Sequence, residues 1–195
     1  MKNKGLLIGL GIVAILVIWV ISTQRGLVGL DENIKNKVGD INTQYQRRSD
    51  LIPNLVKTVE AEKNFEKSTL EAVIQARASA TQMKLDPTNL TPEKLKEFEA
   101  SQGQLGNALG RLMVVSENYP NLKSSESFRT LQTELAGTEN RISRARDIFN
   151  AEVKPYNTKV RAFPGSIIAG MLGFVQKGYF EAKPGSQNAP EINIK

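Results

Sequence analysis

Two periodicities organise the chain. Between residues 5 and 23 no side chain is charged, and from residue 6 to 21 every position is apolar apart from Gly9 and Gly11. At about 1.5 Å per residue a helix over this run spans roughly 30 Å, the thickness of a bilayer core. Trp19 falls where an interfacial aromatic belongs. A cleaved secretory signal needs a shorter apolar core and a small-residue cleavage site, and Val20, Ile21, Ser22, Thr23 and Gln24 offer none. The pattern therefore predicts a retained transmembrane helix over residues 1–24. Lys2 and Lys4 cluster more densely beside the apolar run than Arg25, Lys35 and Lys37 do, which predicts a cytoplasmic N-terminus and a following domain outside the cytoplasm.

Beyond the apolar run the period changes. Ile34, Val38, Ile41, Tyr45, Arg48, Ile52, Leu55 and Val59 recur in alternating steps of four and three, the signature of a heptad seam. The register continues with mixed character through Lys63, Glu66, Leu70, Val73, Arg77 and Ala80. One long helix over residues 31–84 is expected, with Pro53 able to kink or divide it. Asp86, Pro87, Thr88 and Asn89 read as a loop, and Thr91 followed by Pro92 is a cap with a first-turn proline. The second helix buries Leu95, Phe98, Leu105, Leu109 and Leu112 and stops before Pro120. A third begins near Ser125 and repeats Phe128, Leu131, Leu135, Thr138, Ile142, Ala145, Phe149, Glu152 or Val153, Tyr156 and Val160. Phe163 and Pro164 end it.

The apolar segment 165–182 is expected to pack as a final short helix over the loop end of the bundle, the alternative being that it dips into a membrane interface or forms a groove for a partner. Residues 183–195 have the composition of a disordered tail. No segment alternates with strand period. The predicted fold class is all-α: an N-terminal transmembrane helix (1–24), then an antiparallel bundle of three long helices and one short C-terminal one (25–182). A first helix of about 80 Å and a second of about 38 Å do not match end to end. Residues 30–59 are accordingly expected either to fold back at Pro53 or to form a membrane-proximal stalk that pairs with another copy or another protein.

Composition narrows the chemistry. The 195 residues contain no cysteine and no histidine, which removes disulfides, Cys/His metal sites, thiol nucleophiles and histidine general bases. A net charge of +6 loses two charges to Lys2 and Lys4, and no block of five or six like charges occurs, so nucleic-acid binding is not expected. Ser79 with Gln82 and Ser143 with Arg146 miss a Ser-x-x-Lys dyad. Gly103, Gly106 and Gly110 stripe the second helix without a following GlyLys(Ser/Thr), which points to close helix contact rather than phosphate binding. The reading is of a non-enzyme without metal or cofactor.

The run Gln46, Arg47, Arg48, Ser49, Asp50, Leu51, Ile52, Pro53, Asn54, Leu55, Val56 resembles the leading motif of the LemA family. Glu139, Asn140, Arg141 and Ile142, followed by Ala145, Arg146, Phe149, Asn150, Val153, Tyr156 and Asn157, resemble its second block. Phe163 and Pro164, then Gly173 and Phe174, then Tyr179, Phe180, Glu181 and Ala182, resemble its ending. The resemblance implies a bacterial cytoplasmic-membrane protein with a helical bundle and no established enzymatic activity. Members lie near genes for membrane metalloproteases and small membrane proteins, which implies a role in envelope organisation or quality control.

On this basis Arg47, Arg48, Asp50, Asn54, Glu139, Asn140, Arg141, Asn150, Tyr156, Asn157, Phe163, Phe174, Tyr179 and Phe180 are the candidate contact or packing-lock residues. Buried polar residues on long helices commonly fix register and partner. The helix register drawn above does not bring Glu139 beside Arg48. The leading expectation is a membrane-anchored scaffold or adaptor with protein partners or its own copies. The alternative is a module that senses a small anionic ligand or lipid headgroup through Arg47, Arg48, Arg141, Arg144 and Arg146.

Overall fold

A computed structural model describes residues 2–181 and is helical throughout its regular structure. Helix α1 runs Lys2–Glu60 without interruption. It is followed by α2 (Lys67–Gln82), α3 (Pro92–Ser116), a single turn α4 (Pro120–Ser124), α5 (Glu126–Arg161) and a short α6 (Gly165–Met171). The 183–195 tail lies outside the described residues. At about 1.5 Å per residue α1 is roughly 90 Å long. Its first part is apolar enough to cross a membrane and covers nothing: the large apolar side chains from Leu6 to Val17 are all exposed. The first buried side chains are Thr23 and Leu27, at the end of the apolar run. From there the heptad positions Ile34, Val38, Ile41, Tyr45, Arg48, Ile52, Leu55 and Val59 are buried as the pattern predicts.

That seam faces α5, which packs antiparallel along it. Its own buried positions, Phe128, Leu135, Thr138, Ile142, Phe149, Val153 and Tyr156, follow the predicted stripe and resolve the ambiguity at 152–153 in favour of Val153. The idea of residues 30–59 as an unpartnered stalk is thereby corrected. The reason lies in where the first helix ends. It stops at Glu60 rather than near residue 84, so the 36-residue α5 pairs with the part of α1 above the membrane run.

The break falls at residues 61–66, not at Pro53. Asn64 adopts a left-handed backbone (φ 67°), a conformation asparagine tolerates better than most residues. Its carbonyl accepts a hydrogen bond from the Tyr119 hydroxyl at 2.8 Å, and the neighbouring Phe65 ring lies 4.9 Å from that of Tyr119. Pro53 stays inside α1 because its missing N–H is replaced. In an uninterrupted helix residue 53 would donate to the Ser49 carbonyl. Here Arg77 Nε of α2 donates to that carbonyl at 2.9 Å.

The long helices pack in the order α5, α1, α2, α3, with α2 returning towards the membrane end and α3 rising again. Thr91 caps α3 by accepting from the Lys94 N–H, and Pro92 occupies its first turn, as the sequence predicts. Two apolar clusters result. One groups Leu27 to Tyr45 with Leu85, Leu95, Phe98, Phe149, Tyr156 and Phe180. The other groups Ile52 to Val59 with Val73, Leu105, Leu112 and Phe128.

The chain after α6 does not remain helical. After a turn at Leu172 and Gly173, residues 174–181 form an extended strap that turns back along α5 towards the start of α3, where the Gly178 N–H donates to the Leu90 carbonyl at 2.8 Å. A Cβ at Gly178 would stand 2.9 Å from Pro92 Cα, so only glycine permits this approach.

The Pro53–Arg77 substitution of one donor for another predicts an epistatic pair. Arg77→Leu should lower stability by about 1–3 kcal/mol, the effect of orphaning a partly buried carbonyl. Pro53→Ala, which restores the helical N–H, should recover most of that loss in denaturant melts. Equal losses with and without Pro53→Ala would refute the compensation.

Candidate functional site

The heptad that buries α1 inserts one charged residue, Arg48, between the two apolar clusters. It is 5% exposed. Its Nη1 donates to Glu139 Oε2 of α5 at 3.1 Å and its Nη2 to Gln102 Oε1 of α3 at 2.6 Å. Gln102 Nε2 in turn donates to the Ala80 carbonyl of α2 at 3.0 Å. The guanidinium also lies 5.0 Å from the centre of the Tyr45 ring, in cation–π range. Four helices thus meet at one polar layer, and the bridge between Arg48 and Glu139 that the sequence register disfavours is present. Burial raises the Tyr45 pKa, Arg146 and Arg48 oppose that shift, and Glu139 adds to it.

Between α3 and α5 the bundle is open on both sides of this layer. Helices α3 and α5 come into little direct contact, and the gap is crossed by side chains instead. Arg146 of α5 pairs with Glu99 of α3, and its guanidinium sits 4.6 Å over the Phe180 ring of the strap. The strap fills the membrane-proximal part of the gap. The rest is a groove of about 920 Å³ lined by Arg48, Glu99, Leu109, Leu135 and Glu139, with Gly103, Gly106 and Gly110 along its α3 wall. A Cβ at any of these three glycines would meet nothing within 4 Å. The expected close helix contact is therefore absent within the described chain, and the stripe widens the groove.

Three asparagines hold irregular backbone against the helices. Asn157 donates to the Lys177 carbonyl at 2.8 Å and accepts from the Lys177 N–H at 2.9 Å. Asn150 does the same with Phe180, at 2.9 Å in both directions. Seven helical residues advance about 10.5 Å, and three extended residues advance about 10 Å, so the two clamps match in pitch. Asn42, which the sequence reading did not single out, clamps Leu85 in the loop between α2 and α3, at 3.0 and 3.2 Å. Tyr156 adds a 3.0 Å hydrogen bond to the Val175 carbonyl, with its ring 6.5 Å from that of Phe174. Burial pushes its hydroxyl up to about 12, with Asp31 adding to the shift and Lys35 opposing it.

At the strap's foot Lys177 Nζ lies 2.8 Å from Asp31 of α1, both side chains mostly buried. Burial is the largest influence on Asp31 and would raise its pKa. The hydrogen bonds and charges of Lys177 and Lys35 together outweigh it and hold the carboxyl below its ordinary value of 3.8.

The remaining candidates are dispersed. Asp50 is exposed and accepts from Gln46 at 2.7 Å. Arg47, Asn54 and Asn140 are exposed, as are Phe163 and Tyr179. Arg141 donates to Thr138 at 3.0 Å. The five arginines of the anion-sensing alternative do not converge. Arg48 and Arg146 line the groove facing carboxylates, Arg141 and Arg144 line a separate hollow, and Arg47 a third. Among the described residues no cluster of acidic side chains has the arrangement to hold a metal ion.

Two measurements test this geometry. In a double-mutant cycle, Arg48→Met should cost about 3 kcal/mol. Its coupling to Glu139→Gln should be about 1–2 kcal/mol, moderated by the partial exposure of Glu139; additive losses would remove the bridge. For Asp31, the lowered folded pKa means stability that is present above pH 4 and lost as the pH falls through the folded value. The melting temperature of the wild type should therefore fall towards that of Asp31→Asn below about pH 4. Parallel curves for the two proteins would show that the Lys177 pair carries none of this dependence.

The chain is similar in sequence to several known proteins. Magnetosome protein MamQ 2 of Paramagnetospirillum magneticum is 29% identical over 174 residues, covering 80% of this chain and 64% of that protein. Magnetosome protein MamQ of Magnetospirillum gryphiswaldense is 29% identical over 177 residues, covering 82% and 65%. Protein LemA of Metamycoplasma hominis is 27% identical over 153 residues, covering 78% and 66%. The chain thus spans slightly less than two thirds of the length of these relatives. The profile of the LemA family matches residues 37–194, from the α1 seam through the strap, and the chain belongs to that family.

Proposed function

We propose that this protein is a non-catalytic adaptor of the bacterial cytoplasmic membrane, held by the N-terminal part of α1, whose bundle offers the groove between α3 and α5 to a segment of another envelope protein. The observation that carries this reading is the open glycine-lined wall. Glycine inside an exposed helix costs roughly 0.5–1 kcal/mol relative to alanine. Three of them on one face of α3, with no neighbour among the described residues to require them, favour an occupant that approaches the helix backbone closely.

The strap supports a polypeptide occupant. It occupies the lower part of the same gap as an extended segment, and Glu181 at its end already lines the groove. Four of the six charged side chains that line the groove are paired, Arg48 with Glu139 and Arg146 with Glu99, which suits a mostly apolar segment better than a small anion. Lys2 and Lys4 beside the apolar run favour a bundle on the outer side of the membrane. A role in membrane-protein quality control agrees with the family resemblance and is a further part of the proposal.

The glycines supply a test in which stability and function move in opposite directions. Gly103→Ala, Gly106→Ala and Gly110→Ala should each raise stability by about 0.5–1 kcal/mol, since the added methyl meets nothing. A photo-crosslinking residue at Asn107 should capture one envelope protein reproducibly in living cells, and the triple alanine variant should capture markedly less. The same probe at Ile74, on α2 outside the groove, should capture neither. Crosslinks from Asn107 only to the chain's own residues 182–195, or only to other copies, would overturn the adaptor reading. Thermal stabilisation by a small anionic compound, lost with Arg141→Ala and Arg144→Ala, would instead favour the sensing module.

A further inference from the structure

The end of the bundle nearest the membrane run carries apolar side chains that the fold does not use. Phe163 is 82% exposed, Met171 78% and Val175 68%, with Ile167 and Leu172 also open. The two buried members of α6, Ile168 and Ala169, face inward, and Ala169 belongs to the same apolar cluster as Leu27 of α1. Leu27 lies one helical turn, about 6 Å, beyond Thr23, just past the apolar run. The Lys159 side chain lies over Gly26, on the same stretch of α1. The exposed face of α6 and its flanks is therefore continuous with the membrane-crossing part of α1.

Charge points the same way. Residues 153–180 contain Lys154, Lys159, Arg161 and Lys177 and no aspartate or glutamate. In α1 no acidic residue occurs before Asp31, while Arg25 is exposed just past the apolar run. Lys177 is turned inward onto Asp31, which leaves Arg25, Lys154, Lys159 and Arg161 as a basic collar around the apolar face, the composition that anionic lipid headgroups attract, with the apolar side chains entering the headgroup boundary.

We infer that Phe163, Met171 and Val175, with the outer face of α6 between them, form a foot embedded in the lipid interface beside the anchor, and that the occupant of this face is the lipid surface. Two separated points of attachment, the transmembrane helix and the foot, fix the tilt of the bundle. Arg48 and the groove then stand about 38 Å above the membrane surface, counting along α1 from Thr23. The inference rests on α1 crossing the bilayer, and its test separates the two.

The absence of cysteine allows single-cysteine labelling of the full chain without background. Phe163→Cys, Met171→Cys and Val175→Cys would each carry an environment-sensitive fluorophore. Ile12→Cys reports the span, and Ile74→Cys and Val114→Cys report exposed apolar positions away from the foot. Each protein is reconstituted at one copy per nanodisc of zwitterionic and anionic phospholipid, with quenchers attached either shallowly or deeply on the acyl chains, and iodide as the aqueous quencher. The expected result is shallow-lipid quenching at 163, 171 and 175 several-fold above that at 74 and 114, with matching protection from iodide and deep quenching at 12. Deep quenching at 12 with iodide access at 163, 171 and 175 equal to that at 74 and 114 would overturn the foot and leave the anchor intact. Protection from both quenchers at the foot positions would overturn it too, since protein would then cover the face. Loss of lipid quenching at 12 would overturn the span and the foot with it.

Discussion

A guanidinium withdrawn from water must find partners inside the protein, and Arg48 finds them through its two terminal nitrogens. Its partners come from α5 and α3, and through Gln102 the layer reaches the backbone of α2. Apolar seams alone tolerate sliding, because one leucine layer resembles the next. A shift by one heptad would carry Arg48 into the cluster around Ile52 or that around Ile41, leaving an unpaired buried charge. The relative heights of four helices are thus set by one side chain.

A second requirement concerns backbone rather than charge. Buried N–H and C=O groups need partners, and irregular segments inside a helical protein have none of their own. Asparagine carries one acceptor and two donors on a short stem, which lets it imitate a neighbouring strand for one residue. Asn42, Asn150 and Asn157 do this for Leu85, Phe180 and Lys177. Arg77 meets the same demand at Ser49, and so allows a proline within the longest helix. By contrast Pro155 of α5 needs no such substitute, because Ala151, the residue it would have bonded to, is exposed to water.

These devices leave one side of the bundle deliberately unclosed by helix packing. The strap and the Arg146–Glu99 pair span the gap between α3 and α5 near the membrane, and the groove begins beyond them. The proposed adaptor role and the proposed foot describe two ends of one object. One end would fix the orientation of the bundle against lipid, and the other would present a surface at a set distance from it.

Most of the secondary structure was legible in the sequence because it depends on periodicity. The uncharged run, the heptad seam from Ile34 to Val59, the Thr91–Pro92 cap and the α5 stripe each follow from local spacing. Arg48 stands out as a charged residue on an apolar seam, and Asn150 and Asn157 are singled out through the family resemblance. What the sequence left undecided was every relation between segments distant along the chain. The end of α1 depends on Tyr119 reaching the carbonyl of Asn64, and the passage through Pro53 depends on Arg77. A first helix continuing to residue 84, as the periodicity alone suggests, leaves no place for the pairing of α5 with α1 or for the Arg48–Glu139 bridge. The extended strap was hidden for a related reason, since its apolar content fits a short helix and only Asn150, Asn157 and the close contact at Gly178 make it extended. Local periodicity therefore determined which residues are helical and which face each helix buries. Tertiary structure alone decided where the helices end and which ones meet, because those outcomes rest on hydrogen bonds between residues that no local pattern connects.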